Sequence, residues 1–246
     1  MIAVVTGASS GIGEATARRL AREPGARLVL VARRRERLEP LAAELGATYV
    51  AVDLVEGDAP ERVRAHLEAE HDGRLDLLVN NAGGAWRSTF AEGGYENVRR
   101  TMELNFDAVV RLTEALLPLL RASAPSALVN VASTAGRVVR GSTGAYSASK
   151  FALAGWSDAL YLEERANGVH VGLVLPGFIA TEGFPQTQLT ERAVTRWMVA
   201  QPAAAAEAIV QAGLGRKPER YVPRPYWLAA VLRAVAPRLV RRALGK

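Results

Sequence analysis

The chain has 246 residues, 49% of them hydrophobic, with 31 Lys and Arg against 25 Asp and Glu and a net charge of +6. That length suits one α/β domain with a sizeable core. The absence of cysteine excludes disulfides, thiolate metal sites and a cysteine nucleophile, and agrees with a reducing, cytoplasmic setting.

His66, His71 and His170 share no ligand spacing, so no metal site is expected. Met1 leads straight into the apolar run 2–5 without a basic n-region, so no signal peptide is expected. No apolar run reaches the ~18 residues of a membrane span. The basic residues are mostly arginine, spread along the chain without a nucleic-acid motif, and nucleic acid is not an expected partner.

The first predicted strand, Ile2–Thr6, opens into Thr6-Gly7-Ala8-Ser9-Ser10-Gly11-Ile12-Gly13 and a helix over 12–23. Glycines in such a turn let backbone approach a pyrophosphate, and the helix N-terminus offers free N–H groups. The spacing is GxxxGxG rather than GxGxxG, and no Gly-Lys-Ser/Thr ending follows, which argues against a nucleotide hydrolase. The second strand, Arg27–Ala32, ends at Arg33-Arg34-Arg35. Dinucleotide folds that take NAD carry a carboxylate near this point for the ribose hydroxyls. Arg33 instead suits a 2′-phosphate, so NADP is preferred over NAD.

A helix over 36–45 leads to a strand over 48–53, ending at Asp53. After a helix over 60–71, the strand 75–80 runs into Asn80-Asn81-Ala82-Gly83. One long helix over 95–120 contains Asn105, a poor helix former whose side chain or displaced carbonyl is available for another use. A strand over 127–133 ends at Ser133, a helix covers 145–167, and a strand over 169–175 runs into Pro176, Gly177, Ile179 and Thr181. A last short strand falls at 220–222. Near-continuous apolar strands indicate burial on both faces, and β–α alternation indicates a parallel sheet. The prediction is one doubly wound, Rossmann-type α/β domain over 1–222 and a C-terminal amphipathic helical extension over 223–246. Ligands of such sheets bind beyond the carboxyl ends of the strands, where the polar clusters fall.

Tyr146 and Lys150 are four residues apart in a predicted helix and so share a face. A free phenol, with a pKa near 10, is a poor acid–base catalyst at neutral pH. A neighbouring ammonium favours the phenolate and lowers that pKa. Ser133 adds a hydroxyl at a strand end. Each residue alone is unremarkable, and their combination with the glycine turn and the strand-end clusters points to proton transfer beside a dinucleotide.

With these motifs in order, the chain resembles the short-chain dehydrogenase/reductase family, in its NADP-preferring branch. The matching positions are Thr6-Gly7-x-x-x-Gly11-x-Gly13, Asp53, Asn80-Asn81-Ala82-Gly83, Asn105, Ser133, Tyr146-x-x-x-Lys150, Pro176-Gly177 and Thr181. The resemblance implies an enzyme that interconverts a carbonyl and a secondary alcohol. Tyr146 would act as general acid or base and Ser133 would hold the substrate oxygen. Lys150 would lower the phenol's pKa and hold the nicotinamide ribose, and Asn105 would organise a water linking Lys150 to solvent. Gly7, Ser9, Ser10, Gly11, Ile12 and Gly13 would line the pyrophosphate and adenosine ribose, and Asp53 and Leu54 would flank the adenine. Asn81, Ala82 and Gly83 would approach the riboses, and Pro176, Gly177, Ile179 and Thr181 the nicotinamide. The resemblance also implies a homodimer or homotetramer joined through the helices over 95–120 and 145–167.

Specificity is expected from 84–90, 134–143 and 178–200, where Phe178, Phe184, Trp197 and Met198 suggest a lipophilic substrate. In the tail, Tyr226, Trp227, Leu228, Val231, Leu232, Val235, Leu239 and Val240 interleave with Arg224, Arg233, Arg238, Arg241 and Arg242, and Pro237 interrupts any single helix. Packing of this tail on the domain, over the cleft or in a subunit contact is preferred to peripheral membrane contact. Two other functions compete with catalysis: a silent NADP-binding scaffold, which the intact catalytic set argues against, and a membrane-surface protein built on the tail.

Overall fold

The computed structural model describes residues 1–182 and 196–244. Seven parallel strands form one sheet: β1 (Ile2–Thr6), β2 (Arg27–Ala32), β3 (Thr48–Ala51), β4 (Leu77–Asn80), β5 (Ser126–Val131), β6 (Val169–Pro176) and β9 (Glu219–Val222). Their spatial order is β3-β2-β1-β4-β5-β6-β9. The order reverses between β1 and β4, and the crevice outside their carboxyl ends is where such a sheet takes ligands. A separate pair, β7 (Phe178–Ile179) and β8 (Val199–Ala200), lies just past β6.

Alternation along the strands divides the core between the two faces. Ala3 and Val5 of β1 and Leu28 and Leu30 of β2 pack with Leu20, Leu38 and Ile209. Ile2, Val4, Val29 and Val31 face the other way, toward Val63, Leu67, Leu112 and Leu116. Thus α1 (Gly11–Leu20), α2 (Arg35–Leu45) and α7 (Pro202–Gly213) cover one face. The other is covered by α3 (Ala59–His71), α5 (Ala108–Ala122) and α6 (Gly144–Glu164). This is the predicted Rossmann-type doubly wound sheet.

Three local differences from the sequence reading bear on function. First, β3 and β5 stop at Ala51 and Val131, so Asp53 and Ser133 each lie two residues beyond a strand end. Ser133 starts a short 3-10 turn, its hydroxyl accepting from the Ala135 amide at 3.1 Å.

Second, the long helix over 95–120 is two helices. α4 (Phe90–Met102) begins earlier than expected, at a capping box in which the Thr89 hydroxyl and Glu92 carboxylate bond each other's backbone N–H groups. A turn of π geometry, Glu103–Asp107, then separates it from α5.

Third, the helix α7 was not anticipated. Its sequence, PAAAAEAIVQAG, buries seven of its residues, mostly alanines, against α1 and the sheet, so it lacks a polar–apolar period.

The tail forms α8 (Tyr226–Val235) and α9 (Pro237–Leu244), broken before Pro237 as expected. Its apolar residues pack on the domain only in part: Tyr226 meets Gly177 and Phe178 and Val240 of α9 is buried, while the other large apolar residues of α8 stay exposed.

Candidate active site

The carboxyl ends of β1 to β4 enclose a cleft of about 370 Å³. It gathers Gly7, Ser9, Ser10, Gly11, Ile12, Arg33, Asp53, Leu54, Asn81, Ala82, Gly83 and Thr181, twelve of the residues singled out from sequence, with Leu104 and Glu182. The turn after β1 is built on glycine for steric reasons. Gly7 holds a φ of +66°, and a Cβ on Gly13 would collide with the Gly7 carbonyl oxygen. The Ser10 side chain does not cap α1, which leaves first-turn N–H groups at the cleft for an anion.

Thr6 braces the opposite wall. Its hydroxyl accepts from the amides of Asn81 and Ala82 at 2.9 and 3.0 Å, and the Asn81 side chain returns a bond to the Thr6 carbonyl at 2.9 Å. Asn81 thus fixes the wall through its side chain.

The arginine run divides its labour in a way that residue type could not reveal. Arg33 is 69% exposed and paired with Asp53 at 3.3 Å. Arg34 donates to the Ser9 and Ser10 hydroxyls at 3.1 and 2.8 Å, tying the end of β2 to the glycine turn. Arg37 of α2 bonds Glu182 beyond β7 at 3.0 Å, fastening the two sides of the cleft at its rim. Arg34, Arg37 and Glu182 are site residues that the sequence reading did not single out.

Gly83 joins the cleft to Asn105 and Lys150. A Cβ there would lie 3.0 Å from Asn105 Oδ1 and 3.4 Å from Lys150 Nζ. Asn105 is fully buried. Its carboxamide accepts from the Gly84 amide at 2.8 Å and donates to the Gly84 carbonyl and the Ser149 hydroxyl at 2.9 and 3.0 Å. The π turn that carries Asn105 lets a helical residue bridge the Gly83–Gly84 loop to α6. Ser149 was the unread partner in that bridge.

Lys150 is buried, and its ammonium donates to the Val131 carbonyl at 3.0 Å. It sits 5.9 Å from the centre of the Tyr146 ring, one helical turn away on the expected face. The Ser133 side chain lies beside the Tyr146 phenol and favours its ionised form, and the Ser133 hydroxyl donates to the Pro176 carbonyl at 3.2 Å. Pro176, Gly177 and Ile179 line this neighbouring corner rather than the cleft itself. Phe184 lies outside the described residues.

The electrostatics depart from the simple expectation. Burial pushes the Tyr146 phenol above its ordinary 10, and the neighbouring Ser133 side chain and the positive charge of Arg87 only partly oppose it. Burial also brings the Lys150 amine down from 10.5 to about 8. Both groups pay for leaving water, each toward its neutral form.

The first 192 residues match the family model described as short chain dehydrogenase. The chain is 34% identical over 185 residues to an uncharacterized oxidoreductase of Staphylococcus saprophyticus, covering 74% of this chain and 75% of that one. It is 32% identical over 269 residues to the dehydrogenase/reductase SDR family member 7B of Bos taurus, covering 99% and 80%. An uncharacterized oxidoreductase of Bacillus subtilis is 34% identical over 256 residues, covering 100% and 71%. With its parallel sheet, glycine turn and Tyr146–Lys150 pair, the chain belongs to the short-chain dehydrogenase/reductase family and is an oxidoreductase of that class.

Proposed function

We propose that the protein is an NADP(H)-dependent oxidoreductase that interconverts a carbonyl and a secondary alcohol on a lipophilic small molecule. The observation that carries this reading is the placement of buried Lys150, its ammonium 5.9 Å from the Tyr146 ring with Ser133 beside the phenol, at the Gly83 end of the cleft. The cleft fits a dinucleotide: it combines a glycine cradle with an uncapped helix N-terminus, and Arg33 and Arg34 stand at one end. Gly7 to Gly13 would hold the pyrophosphate, Asp53 and Leu54 the adenine end, and Ala82 and Gly83 the riboses. Arg33, exposed and paired among the described residues with Asp53, is available to a 2′-phosphate. When bound, the nicotinamide supplies or accepts the hydride.

In reduction, Tyr146 donates its phenolic proton to the substrate oxygen, and in oxidation it takes that proton back. Ser133 would turn its one hydroxyl proton from the Pro176 carbonyl to the same oxygen as negative charge develops. Lys150 would hold the ribose side of the cofactor, and Asn105 fixes Gly84 and α6 around it. The Phe178–Tyr226 ring pair and exposed Trp197 offer apolar surface to a lipophilic substrate. Exposed Phe151 and Leu162 on α6 and Phe90 and Tyr95 on α4 favour a homodimer or homotetramer through those helices.

The test is NADPH oxidation across a panel of ketones and aldehydes, with the Tyr146→Phe variant beside the native protein. Turnover should fall by roughly 10²–10⁴ while NADPH binding is retained. No consumption across the panel, or near-native turnover by Tyr146→Phe, overturns the reading.

A further inference from the structure

Residues 223–246 hold six of the 31 Lys and Arg and none of the 25 Asp and Glu, so residues 1–222 contain 25 of each. The entire net charge of +6 is therefore confined to the tail. The structure adds a second observation there. Trp227, Leu228, Val231, Leu232 and Val235 recur as i, i+1, i+4, i+5 and i+8 on one face of α8. That face points away from the protein, each side chain being 45% to 74% exposed. Leu239 and Leu244 of α9 are also open to solvent, at 60% and 43%. Arg238, Arg241 and Arg242 recur as i, i+3 and i+4 on α9.

The start of α8 is tied to the domain. The Tyr226 hydroxyl donates to the Met198 carbonyl at 3.1 Å, its ring meets Phe178, and α8 contacts β9 and α9.

We propose that α8 and α9 form an interfacial platform that lies on an anionic phospholipid surface, with the apolar stripe entering the acyl boundary and the arginines at the headgroups. An apolar stripe beside an acid-free, wholly cationic sequence matches the two parts of such a surface. A second copy of the chain is the poorer occupant, because pairing through this face would bring two patches of +6 together. Nucleic acid would use the charge and leave the stripe in water. Among the described residues no helix is long and apolar enough to cross a membrane, so the platform lies on the bilayer. Tyr226 packs against the Gly177–Phe178 corner beside Ser133 and Pro176, so docking would bring that corner close to the lipid. The proposal does not depend on the assigned chemistry.

The test is flotation of the full chain with vesicles of phosphatidylcholine alone and of phosphatidylcholine mixed with phosphatidylglycerol. Capture is expected only by the mixed vesicles and should weaken with salt. Each cation near such a surface is worth about fivefold in binding, so Arg241→Ala with Arg242→Ala should weaken capture roughly thirtyfold. Leu228→Glu and Val235→Glu alter exposed side chains and should abolish capture with the thermal melt unchanged. No capture by the mixed vesicles overturns the proposal, as does capture that both Glu variants retain. Binding to a DNA duplex without flotation, or a stripe-dependent dimer without flotation, overturns it in favour of those partners.

Discussion

Lys150→Met should make the protein more stable while destroying its activity. Lys150 is 4% exposed, and its amine is brought from 10.5 down to about 8. That displacement corresponds to roughly 3 kcal/mol spent at neutral pH on keeping a cation out of water. Methionine matches the length of the stem and removes the charge. It also forfeits the bond to the Val131 carbonyl, worth about 1 kcal/mol. A net gain of about 2 kcal/mol remains at pH 7, or about 4–8 °C in Tm for a domain of this size.

The gain has a definite pH signature. Below about pH 8 the amine is protonated in both folded and unfolded chains, and the burial cost is fully present. Between about 8 and 10.5 the unfolded chain binds more protons than the folded one, so native stability rises with pH. Lys150→Met lacks this rise, and the gap between the two proteins should close over that window. Denaturant melts of the cofactor-free proteins at pH 7, 8, 9 and 10 measure it, with the difference between proteins cancelling the other titrating groups. Parallel stability curves, or a less stable variant at pH 7, would refute the argument that burial dominates this site.

Arg33→Ala should weaken NADPH roughly 10- to 100-fold, the worth of one charge-assisted hydrogen bond, and leave NADH within about threefold, as read by fluorescence titration. Equal losses for both cofactors would remove Arg33 from the 2′-phosphate. Asn105→Ala strands the half-buried Gly84 N–H and C=O groups and the buried Ser149 hydroxyl; a cost of about 2 kcal/mol should appear in calorimetry together with lost turnover. Arg121→Ala leaves Glu164, 2% exposed, without its 2.5 Å ion pair. Half-exposure of the arginine limits the loss to about 1–2 kcal/mol. Arg121 holds the Glu164 carboxyl below its ordinary 4.5. The stabilisation is therefore present above that value and lost as pH falls beneath it, so native and variant melts should converge in acid.

The sheet was legible in the sequence because strands buried on both faces are nearly pure Val, Leu, Ile and Ala, as in β1 and β2. The strand-end polar clusters were legible for the opposite reason, since core packing does not require them. What stayed hidden depended on direction and on through-space partners. Nothing in Arg33-Arg34-Arg35 says that Arg34 turns back to Ser9 and Ser10 while Arg33 faces solvent. Asn105 stood out as a poor helix former, but the break it makes in the helix depends on Gly84, 21 residues away, and on Ser149. The helix α7 escaped because alanines buried around most of its surface leave no period to read. The tail's amphipathic pattern was legible, but the pattern alone could not tell which way its apolar face points.

The Tyr146–Lys150 pair shows the same limit at the level of energy. Spacing on a helix suggested an amine that pulls the phenol's pKa down. In the folded chain burial acts on both groups: it holds the Tyr146 phenol above 10 and lets Lys150 lose its proton near pH 8. A raised phenol suits the acid needed for carbonyl reduction, because the proton is present across neutral pH. The two directions of reaction should then separate with pH. For reduction, kcat/KM for NADPH reports the free enzyme and should stay flat to about pH 8, then fall as the Lys150 cation is lost. For alcohol oxidation the phenolate is required, and the rate should keep climbing through pH 9 while reduction declines. An oxidation rate that levels off below pH 8 would show that the working phenol titrates in the neutral range, and that the amine outweighs burial during turnover.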